Sequence, residues 1–475
     1  MKLFTFLLFF LLTATCAVAQ QDAAYTPVLL TGPNSFKPLP ANWKLVSEVF
    51  FNPLADGDPV LKNGTGVLVN IPAKNKKWNE GHLLTNMEHG DLDLDLDLMM
   101  AKGSNSGIYL QGRYEVRLSD SWGKQDPDYT DAGGIYKREA NTEGAEGRPP
   151  AQNVSRAPGL WQHMQIVFRA PRFNAEGKKT ENARLVKVIY NGVTIQENIE
   201  LSGPTTGGIA SDETAMAPLM FQGDHGQVAL RNIRYRVPPA NTEPVRRASA
   251  VVNPILVSPG VAPVVHRGFL NYNGKKLTAP VAVGYPQKVS YAYDLDKGRL
   301  LEVWRGDFLD ATGMWYSRGE QQLAVALGSL IVLPGKPTLA FLPGKDSVWP
   351  DSNTAAYNYL GYDLLKDGSP VFKYQLGDAM IRETLTPDNS GKRFTHSISA
   401  EMAKEAKDLW FRVAEGSDIA LQPGGLYAVN DKQYYIQLPE KVKPLIRKTA
   451  ANTTEMLLPV TIKDQKGGVN YELVW

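Results

Sequence analysis

The feature that most constrains the fold is a strict alternation of aspartate and leucine over residues 91–98, whose sequence is DLDLDLDL. A period of two sends successive side chains of a β-strand to opposite faces, so the leucines face one way and the aspartates the other. Residues 103–106 (GSNS) predict a turn, and residues 109–117 (YLQGRYEVR) alternate again. The two segments therefore predict a hairpin with one apolar face and one polar, aromatic and carboxylate-rich face.

The acidic side of this alternation has an electrostatic consequence. Aspartates at alternate positions of one strand are about 7 Å apart, twice the rise per residue. Four carboxylates at that spacing cannot all reach one Ca²⁺, whose oxygen ligands lie about 2.4 Å away. We therefore expect a solvated face or groove wall, with arginine or lysine from neighbouring strands offsetting the repulsion between Asp91, Asp93, Asp95 and Asp97.

The chain has 475 residues, enough for two or three domains with their own cores. Its 51 basic and 49 acidic residues give a formal net charge of +2, which argues against nucleic acid or an anionic membrane as a partner. Its 42 glycines and 32 prolines favour a turn-rich protein, and residues 185–192 and 227–235 each predict a hairpin. The predicted fold class is all-β.

The first 19 residues have the pattern of a secretion signal. Lys2 precedes an apolar run over residues 3–12, and the small residues AVA at 17–19 are typical of a cleavage site that would make Gln20 the first mature residue. The apolar run is too short to span a bilayer comfortably, so no transmembrane anchor is expected after cleavage. We expect an exported protein, periplasmic or extracellular.

The only cysteine, Cys16, lies inside this signal. Lipoprotein anchoring is disfavoured, because Thr15 stands where a small residue is expected before a lipidated cysteine. A mature chain without cysteine forms no disulfide, no thiolate metal site and no c-type haem attachment, and it has no thiolate nucleophile.

A series of short motifs follows the acidic strand in a fixed order. They are NSGI at 105–108, GRYEV at 112–116, GGIY at 133–136, GLWQ at 159–162, YNG at 190–192, QGDHG at 222–226 and LRNIR at 230–234. Taken together, they make residues 42–236 resemble the 3-keto-disaccharide hydrolase family, formerly a domain of unknown function. The resemblance implies a concanavalin-like jelly-roll sandwich, with a domain over residues 20–236.

The resemblance also implies a chemistry. A ketone at carbon 3 of a glycoside acidifies the hydrogen on carbon 2, so a base can remove it, the glycosidic oxygen on carbon 1 can leave, and water can add back. Such elimination and hydration needs a general base, an acid or metal-bound water near the leaving oxygen, and donors that stabilise an enolate. Direct hydrolysis by two carboxylates is the competing route, and sequence spacing does not separate the two.

By the family match, the catalytic candidates are Asp97 of the acidic strand, Glu115 of GRYEV and His225 of QGDHG. Histidine is a natural base or metal ligand near neutral pH. Structural alternatives stand beside these roles, because Glu115 is equally explained as a buried acid paired with Arg113 or Arg231, and His225 as a hydrogen-bonded turn residue.

Substrate contacts are expected from aromatic faces, which stack on sugar rings, and from polar groups that bind hydroxyls. Trp161 is as well explained as a core residue, and Arg117 stands where many family members carry glutamine, a departure that bears on substrate preference. The candidates for substrate contact are Asn105, Tyr109, Gln111, Arg113, Asp120, Tyr136, Trp161 and Gln222.

No haem and no nucleotide are expected, because the chain lacks the haem-attachment motif and no nucleotide-binding motif follows a strand. The remaining histidines show no metal-ligand spacing. The sequence leaves the cofactor unknown, with a divalent cation still open.

The chain beyond residue 236 is expected to form a separate unit. Residues 237–266 are rich in proline and predict a linker, and residues 267–475 predict a second β-rich, sandwich-like domain of unknown role. Residues 291–319 resemble a module often joined to bacterial c-type cytochromes, without the haem part.

The leading interpretation is a secreted enzyme that cleaves 3-keto-glycosides by acid–base elimination and hydration. The alternative is a non-catalytic, lectin-like carbohydrate-binding protein, because jelly rolls host both classes. The enzyme hypothesis predicts that Asp97, Glu115 and His225 converge in one pocket, whereas a lectin would show a shallow face of aromatic and amide groups without an acid–base pair.

Overall fold

The structure is a computed structural model, and it describes residues 24–475 except 29, 31–34, 74–76, 78, 141, 143–144, 239–251, 317–321 and 354. The predicted secretion signal over residues 1–19 lies outside the described residues, so export stays a prediction. In the described part of the chain, no helix is both long and apolar enough to cross a membrane.

The N-terminal part consists of antiparallel strands in two main sheets. The strands are β1 (Thr26–Pro27), β2 (Trp43–Phe50), β3 (Val60–Asn70), β4 (Leu83–His89), β5 (Leu92–Met100), β6 (Asn105–Leu110), β7 (Tyr114–Ser119), β8 (Gln162–Arg169), β9 (Arg172–Phe173), β10 (Lys179–Glu181), β11 (Ala183–Tyr190), β12 (Val193–Leu201), β13 (Ala217–Phe221) and β14 (Val228–Arg236). The larger sheet has the order β12-β11-β8-β5-β14-β3-β2, with β1 pairing to β14, and the smaller sheet has the order β4-β13-β6-β7.

The two sheets pack face to face around one hydrophobic core. The leucines of β5 share a buried cluster with Ile108, Leu110 and Val116 of β6 and β7. Alternate side chains of β6 and β7 therefore point away from the core, which leaves the outer face of the smaller sheet available for polar groups. The predicted all-β class and the sandwich architecture are confirmed.

The acidic strand β5 has the apolar and acidic faces predicted for it, but the expected solvation is wrong for Asp93 and Asp95, which are 4% and 2% exposed. Its four leucines are at most 1% exposed, and its aspartates project from the outer face of the larger sheet. Arg172 donates to both carboxylate oxygens of Asp91 at 2.8 and 2.7 Å, and Arg234 donates to Asp95 at 2.8 Å. The expected compensation by basic neighbours is confirmed.

One predicted hairpin is present and another is wrong. β11 and β12 form a hairpin around Asn191, whose φ of 48° is the left-handed conformation that asparagine tolerates. Residues 227–235 are instead part of the single strand β14, which pairs with β3 on one side and β5 on the other. Asn232, with a φ of 51°, lies where the register against β5 shifts, so it marks a bulge rather than a turn.

The C-terminal part is also built from antiparallel strands. They are β15 (Leu256–Val257), β16 (Val264–Arg267), β17 (Leu270–Tyr272), β18 (Lys275–Leu277), β19 (Pro280–Tyr285), β20 (Val289–Asp294), β21 (Arg299–Arg305), β22 (Leu309–Asp310), β23 (Val325–Ala326), β24 (Ser329–Val332), β25 (Leu339–Phe341), β26 (Tyr357–Leu364), β27 (Pro370–Leu376), β28 (Ala379–Pro387), β29 (Arg393–Glu401), β30 (Leu409–Gly416), β31 (Ile419–Leu421), β32 (Leu426–Val429), β33 (Tyr434–Gln437), β34 (Leu445–Lys448), β35 (Thr454–Pro459) and β36 (Lys466–Val474), with a short helix α1 (Thr312–Tyr316).

Two of the C-terminal sheets enclose the main core. The five-stranded sheet β16-β19-β20-β21-β24 and the eight-stranded sheet β26-β27-β28-β29-β36-β33-β32-β31 contribute residues such as Tyr291 and Phe372 to one buried cluster. A four-stranded sheet, β25-β30-β35-β34, adds further residues to this cluster.

The N-terminal and C-terminal parts contact each other, and the linker predicted over residues 237–266 includes strands of the C-terminal part. Within that range, β15 and β16 already pair with β22 and β19 of the C-terminal part. Trp122 belongs to the main C-terminal cluster, and its Nε1 donates to the carbonyl oxygen of Trp475 at 2.9 Å. Tyr435 donates to the carbonyl oxygen of Gly159 at 2.7 Å. The two parts therefore share buried contacts.

Candidate active site

The segment predicted as one strand over residues 109–117 is a hairpin of its own. β6 and β7 pair with each other in the smaller sheet, whereas β5 lies in the larger sheet. Gln111 and Gly112 turn the chain with φ values of 53° and 61°. The hairpin predicted between residues 91–98 and 109–117 is therefore wrong, because the two segments lie in different sheets.

The hairpin of β6 and β7 brings polar side chains together on the outer face of the smaller sheet. Across β6 and β7, Tyr109 pairs with Glu115, and Gly107 pairs with Arg117. On the other side of β6, the backbone N–H of Gln222 donates to the carbonyl oxygen of Gly107 at 2.9 Å. Tyr109 and Glu115 thus form one row, and Gln222, Gly107 and Arg117 form the next.

Glu115 is enclosed at the centre of this face, and its side chain has 0% exposed surface. Its Oε2 accepts a hydrogen bond from the Tyr109 hydroxyl at 2.7 Å, and its Oε1 accepts one from Arg117 Nη1 at 3.1 Å. Burial raises the pKa of Glu115, although Arg117, Tyr109 and His225 each oppose the rise. The carboxylate fits because residue 107 is glycine, since a Cβ there would lie 2.9 Å from Cγ and Cδ of Glu115.

Arg117 connects this carboxylate to its polar surroundings. Its guanidinium lies over the Tyr136 ring, 5.1 Å from the centroid. Its Nε is buried without a hydrogen-bond partner, as are Asn105 Oδ1 and Gln222 Oε1. Because buried polar atoms in folded proteins are normally hydrogen-bonded, these atoms on one face indicate a place for a polar ligand.

A histidine of fixed orientation lies near Glu115. His225 Nδ1 donates to Asp224 Oδ1 at 2.6 Å, and the backbone N–H of Asn79 donates to Asp224 Oδ2 at 2.9 Å. With the hydrogen on Nδ1, Nε2 is the basic nitrogen of the imidazole. The hydrogen bond from His225 helps to lower the pKa of Asp224 against the effect of burial. The His225 side chain is 25% exposed, which suits exchange of a proton with a ligand.

These side chains form the candidate site, which we call the hairpin site and which consists of Asn105, Tyr109, Glu115, Arg117, Gln222 and His225. Tyr136 borders it through its contact with Arg117. The partner of the buried Glu115 is Arg117 rather than Arg113 or Arg231, the two partners considered from the sequence.

Residues 203–216 cover one side of the hairpin site. The hydroxyl oxygen of Thr205 accepts from the backbone N–H of Glu115 at 2.9 Å. The carbonyl oxygen of Thr206 accepts from the Tyr109 hydroxyl at 3.3 Å. Residues 203–216 therefore enclose the Glu115–Tyr109 pair on this side.

Three of the predicted substrate contacts hold the backbone instead. Gln111 Nε2 donates to the carbonyl oxygen of His89 at 3.0 Å, which fixes the turn of the β6–β7 hairpin. Arg113 donates to the carboxylate and the carbonyl oxygen of Asp212 at 2.7 and 2.6 Å, which fixes the covering segment. Asp120 accepts from two backbone N–H groups at 2.8 and 3.2 Å. These side chains support the site without contributing to its face.

Asp97 does not join the hairpin site. It lies on the outer face of β5, on the far side of the sandwich, where it accepts from His163 Nδ1 at 2.9 Å and from Asn232 Nδ2 at 2.7 Å. The predicted convergence of Asp97 with Glu115 and His225 is wrong. The physical reason is that the leucines of β5 fill the core, so its aspartates point away from the smaller sheet.

Trp161 also lies on the far side. The Arg231 guanidinium covers its ring at 4.0 Å from the centroid, and the residue is buried in a cluster with Met99 and Val69. Trp161 and Asp97 border a groove of about 540 Å³ between the two parts of the chain. Trp161 is therefore a packing residue rather than a contact of the hairpin site.

Sequence reasoning missed two residues that shape the candidate site. Asp224 lies within the motif QGDHG, and a carboxylate directly before a histidine in a glycine-flanked turn is the signal that could have found it. Gly107 lies within the motif NSGI, but its role depends on the Glu115 side chain of the neighbouring strand. That pairing is invisible before the hairpin register is known.

The described residues contain no group of three or more His, Cys, Asp or Glu side chains arranged to hold a metal ion. His82 Nδ1 lies 3.9 Å from Asp224 and accepts from the backbone N–H of Gly223 at 3.1 Å. That nitrogen is therefore occupied by a backbone contact.

Comparison with known families identifies the domain that carries this site. Residues 38–236 match the model of a family described as 3-keto-alpha-glucoside-1,2-lyase-like domain. The N-terminal sandwich is similar to this family over the matched residues. Every residue of the hairpin site lies within the matched residues 38–236, which we call the lyase-like domain.

Solved structures similar to the chain include two candidate glycosyl hydrolases from Parabacteroides distasonis ATCC 8503. The first is 21% identical, with 45% of this chain and 91% of that chain covered and a TM-score of 0.30. The second is 20% identical, with 45% and 99% covered and a TM-score of 0.29. A third structure, the binding domain of botulinum neurotoxin serotype D, is 8% identical, with 94% and 96% covered and a TM-score of 0.25. Comparison with curated proteins found no match.

Proposed function

We propose that the lyase-like domain cleaves glycosides that carry a ketone at carbon 3, by elimination followed by addition of water. The observation that carries the proposal is the Asp224–His225 pair, held at 2.6 Å and near the buried Glu115 carboxyl group, whose pKa the His225 charge affects. The family description, which names a lyase of 3-keto-α-glucosides, supports the same chemistry.

His225 is the proposed general base. Its Nε2 accepts the hydrogen on carbon 2, which the adjacent ketone makes acidic, and Asp224 stabilises the resulting imidazolium through Nδ1. The electron pair left on carbon 2 then forms a double bond to carbon 1 as the bond from carbon 1 to the glycosidic oxygen breaks. The leaving oxygen takes up a proton from solvent. Water then adds across the double bond of the enone, with its hydroxyl going to carbon 1 and the proton held by His225 returning to carbon 2, which completes net hydrolysis.

Glu115 has a supporting role in this proposal. With no exposed side-chain surface, it acts through Arg117 and Tyr109, whose hydrogen bonds it accepts. Its burial also favours the alternative function, a carbohydrate-binding protein, because an enclosed carboxylate does not reach the glycosidic bond. The two functions differ in whether a bound sugar is converted.

The test compares a 3-keto-glucoside with its unoxidised parent as substrates of the purified protein, each with and without EDTA. Released aglycone and the enone absorbance of the elimination intermediate are the readouts. We expect aglycone from the keto substrate alone, and loss of release with EDTA would add a divalent cation to the mechanism. Binding of both sugars without release from either would overturn the enzyme assignment and favour the lectin-like one.

A further inference from the structure

The starting point is the groove of about 540 Å³ between the N-terminal and C-terminal parts. It lies on the outer face of the larger sheet, on the far side of the sandwich from the hairpin site. Among the described residues that line it, Trp161 is the one apolar residue, and the Arg231 guanidinium covers its ring. Small-molecule sites typically have volumes of about 300–1,000 Å³. The groove therefore has room for a ligand, and its walls suit a polar one.

Both parts of the chain contribute walls to this groove. The N-terminal part contributes Arg156, Gln162 and His163, and the C-terminal part contributes Ser417, Asn430 and Gln433. Amide and hydroxyl groups donate and accept hydrogen bonds, as the hydroxyls of a sugar do. Neither part encloses the groove alone.

The C-terminal wall of the groove is a turn in an unusual backbone conformation. Asn430, Asp431 and Lys432 have consecutive φ values of 51°, 49° and 63°, all in the left-handed region. That region costs free energy for residues other than glycine, so it persists where surrounding contacts hold it. Here the backbone N–H of Trp161 donates to the carbonyl oxygen of Lys432 at 3.1 Å, and Lys432 Nζ pairs with Glu48 at 3.0 Å. The N-terminal part thus fixes the wall that carries Asn430.

The carboxylates that line the groove are already paired. Asp97 accepts from Arg231 at 3.2 Å and from His163 at 2.9 Å. Asp431 pairs with Arg231 at 2.5 Å. His163 is also held at its other ring nitrogen, because Nε2 lies 3.4 Å from Asp95. These charges compensate one another, so none of them needs a ligand.

Among the described residues, Arg156 is the cation of the groove without an acidic partner. Its Nη1 donates to the carbonyl oxygen of Trp161 at 3.3 Å, and its Nε has no hydrogen-bond partner. Asp97 affects the pKa of Arg156 without forming an ion pair with it. Burial lowers this pKa to about 10, so the guanidinium is still charged at neutral pH. A partly buried charge without a partner is costly, so this position favours an anion.

We propose that this groove is a second carbohydrate site, which binds a sugar carrying a carboxylate, a uronic acid. The planar guanidinium of Arg156 matches the two oxygens of a carboxylate. The amides of Asn430 and Gln433 bind hydroxyls of the sugar ring, which an aliphatic acid would not provide. The C-terminal part then has the role of completing this site. The inference does not rest on the proposed function, because the groove and the hairpin site lie on opposite sides of the sandwich.

The experiment measures binding to the full chain by calorimetric titration with three probes. Methyl β-D-glucuronide carries both the ring and the carboxylate, methyl β-D-glucoside lacks the carboxylate, and acetate lacks the ring. We expect the wild type to bind the glucuronide more tightly than either of the other two. Arg156→Gln is expected to weaken glucuronide binding by roughly 10-fold or more, the effect of losing hydrogen bonds from a charged donor. Arg184→Gln is the matched control and should leave it unchanged, because Arg184 pairs with Glu200 outside the groove.

Gln433→Ala is the second variant should Arg156→Gln fail to fold, because Gln433 is exposed. It is expected to weaken binding of the glucuronide several-fold and to leave binding of acetate unchanged. Equal affinities of the wild type for glucuronide and acetate would overturn the assignment to a sugar, and a wild type that does not bind the glucuronide would overturn the site. A folded Arg156→Gln variant with wild-type affinity would overturn the role of Arg156. No probe carries a ketone at carbon 3, so these outcomes are separate from failure of the proposed function, which is measured by aglycone release.

Discussion

The two outer faces of the N-terminal sandwich each carry a histidine hydrogen-bonded to an aspartate, and they differ in what surrounds the pair. His163 and Asp97, at 2.9 Å, lie among arginines that form ion pairs with the aspartates of β5. His225 and Asp224, at 2.6 Å, lie near a buried carboxylate and polar atoms that have no partner. The comparison teaches that charged side chains held in ion pairs stabilise the fold, whereas polar atoms without hydrogen-bond partners mark a place for a ligand.

The largest expected effect separates the two histidines by activity. His225→Gln should lower kcat/KM on a 3-keto-glucoside by about 100-fold or more, because it removes the general base. His163→Gln is the matched control and should leave kcat/KM close to wild type, because that histidine is on the opposite face. Aglycone release by both variants is the measurement, and equal losses in the two would break the distinction between the faces.

The second prediction concerns the glycine that makes room for Glu115. Gly107→Ala places a Cβ 2.9 Å from Cγ and Cδ of Glu115. Overpacking of this kind should lower the free energy of unfolding by about 1–3 kcal/mol. Gly260→Ala is the control, because a Cβ there meets nothing within 4 Å. Urea unfolding checks both variants, and an unchanged midpoint for Gly107→Ala would contradict the enclosed position of the carboxylate.

The third prediction uses pH, because the pKa values of Asp95 on one face and Glu115 on the other shift in opposite directions from their ordinary values. Burial tends to raise the pKa of Asp95, but hydrogen bonds from Arg234 and Gln165 lower it overall. Burial raises the pKa of Glu115. The ionised Asp95 therefore stabilises the fold above its unfolded pKa of about 3.9, and this contribution is lost as the pH falls through the lower folded value.

For Glu115 the effect of pH on stability is the opposite. Its pKa in the folded protein lies above the unfolded value of about 4.3, so the free energy of unfolding falls as the pH rises from the unfolded pKa to the folded pKa. Relative to wild type, Asp95→Asn should be most destabilising near neutral pH and least so in acid. Glu115→Gln should become more favourable relative to wild type as the pH rises. Urea unfolding across a pH series tests this, and parallel trends in the two variants would refute the opposite signs.

The smallest expected effect belongs to a single ion pair of the compensated face. Arg172, with 44% of its side chain exposed, pairs with Asp91 at 2.7 Å. Arg172→Gln should lower the free energy of unfolding by about 0.2–1 kcal/mol, and the difference should shrink in high salt. Urea unfolding at low and high ionic strength is the measurement. A large loss of unfolding free energy that does not depend on salt would contradict this prediction, because it would show that the Arg172–Asp91 pair stabilises the fold more than an exposed ion pair does.

Much of the fold followed from local patterns. Alternation of leucine and aspartate predicted β5 with its buried and charged faces, and the repulsion between carboxylates predicted arginine partners such as Arg172 and Arg234. The Asn191 turn followed from its sequence type. The strand and turn predictions succeeded because each depends on residues close together in the sequence. The arginine partners lie 81 and 139 positions from Asp91 and Asp95, and they were predictable only as a type of charge and not as particular residues.

The site was only partly predictable. The family match indicates Glu115 and His225, and the chemistry of sugar contacts indicates Asn105, Tyr109 and Gln222. The strand register places Glu115, Tyr109 and Gln222 on one face, with His225 near enough to affect the pKa of Glu115. Alternation alone says that residues share a face but not which sheet or which side of a sandwich the face belongs to. Asp97 was therefore placed with Glu115, although the core lies between them.

The amino-acid sequence by itself determined that this chain is a β protein, that its leucines and aspartates separate across β5, and that its motifs place residues 42–236 in one family resemblance. Only the tertiary structure decided that residues 109–117 fold back on themselves and that Arg117, rather than Arg113 or Arg231, pairs with Glu115. It also decided that Asp224 orients His225 next to that pair. The physical reason is that side-chain alternation is a local property, whereas strand pairing and sheet packing depend on contacts between residues distant in the chain.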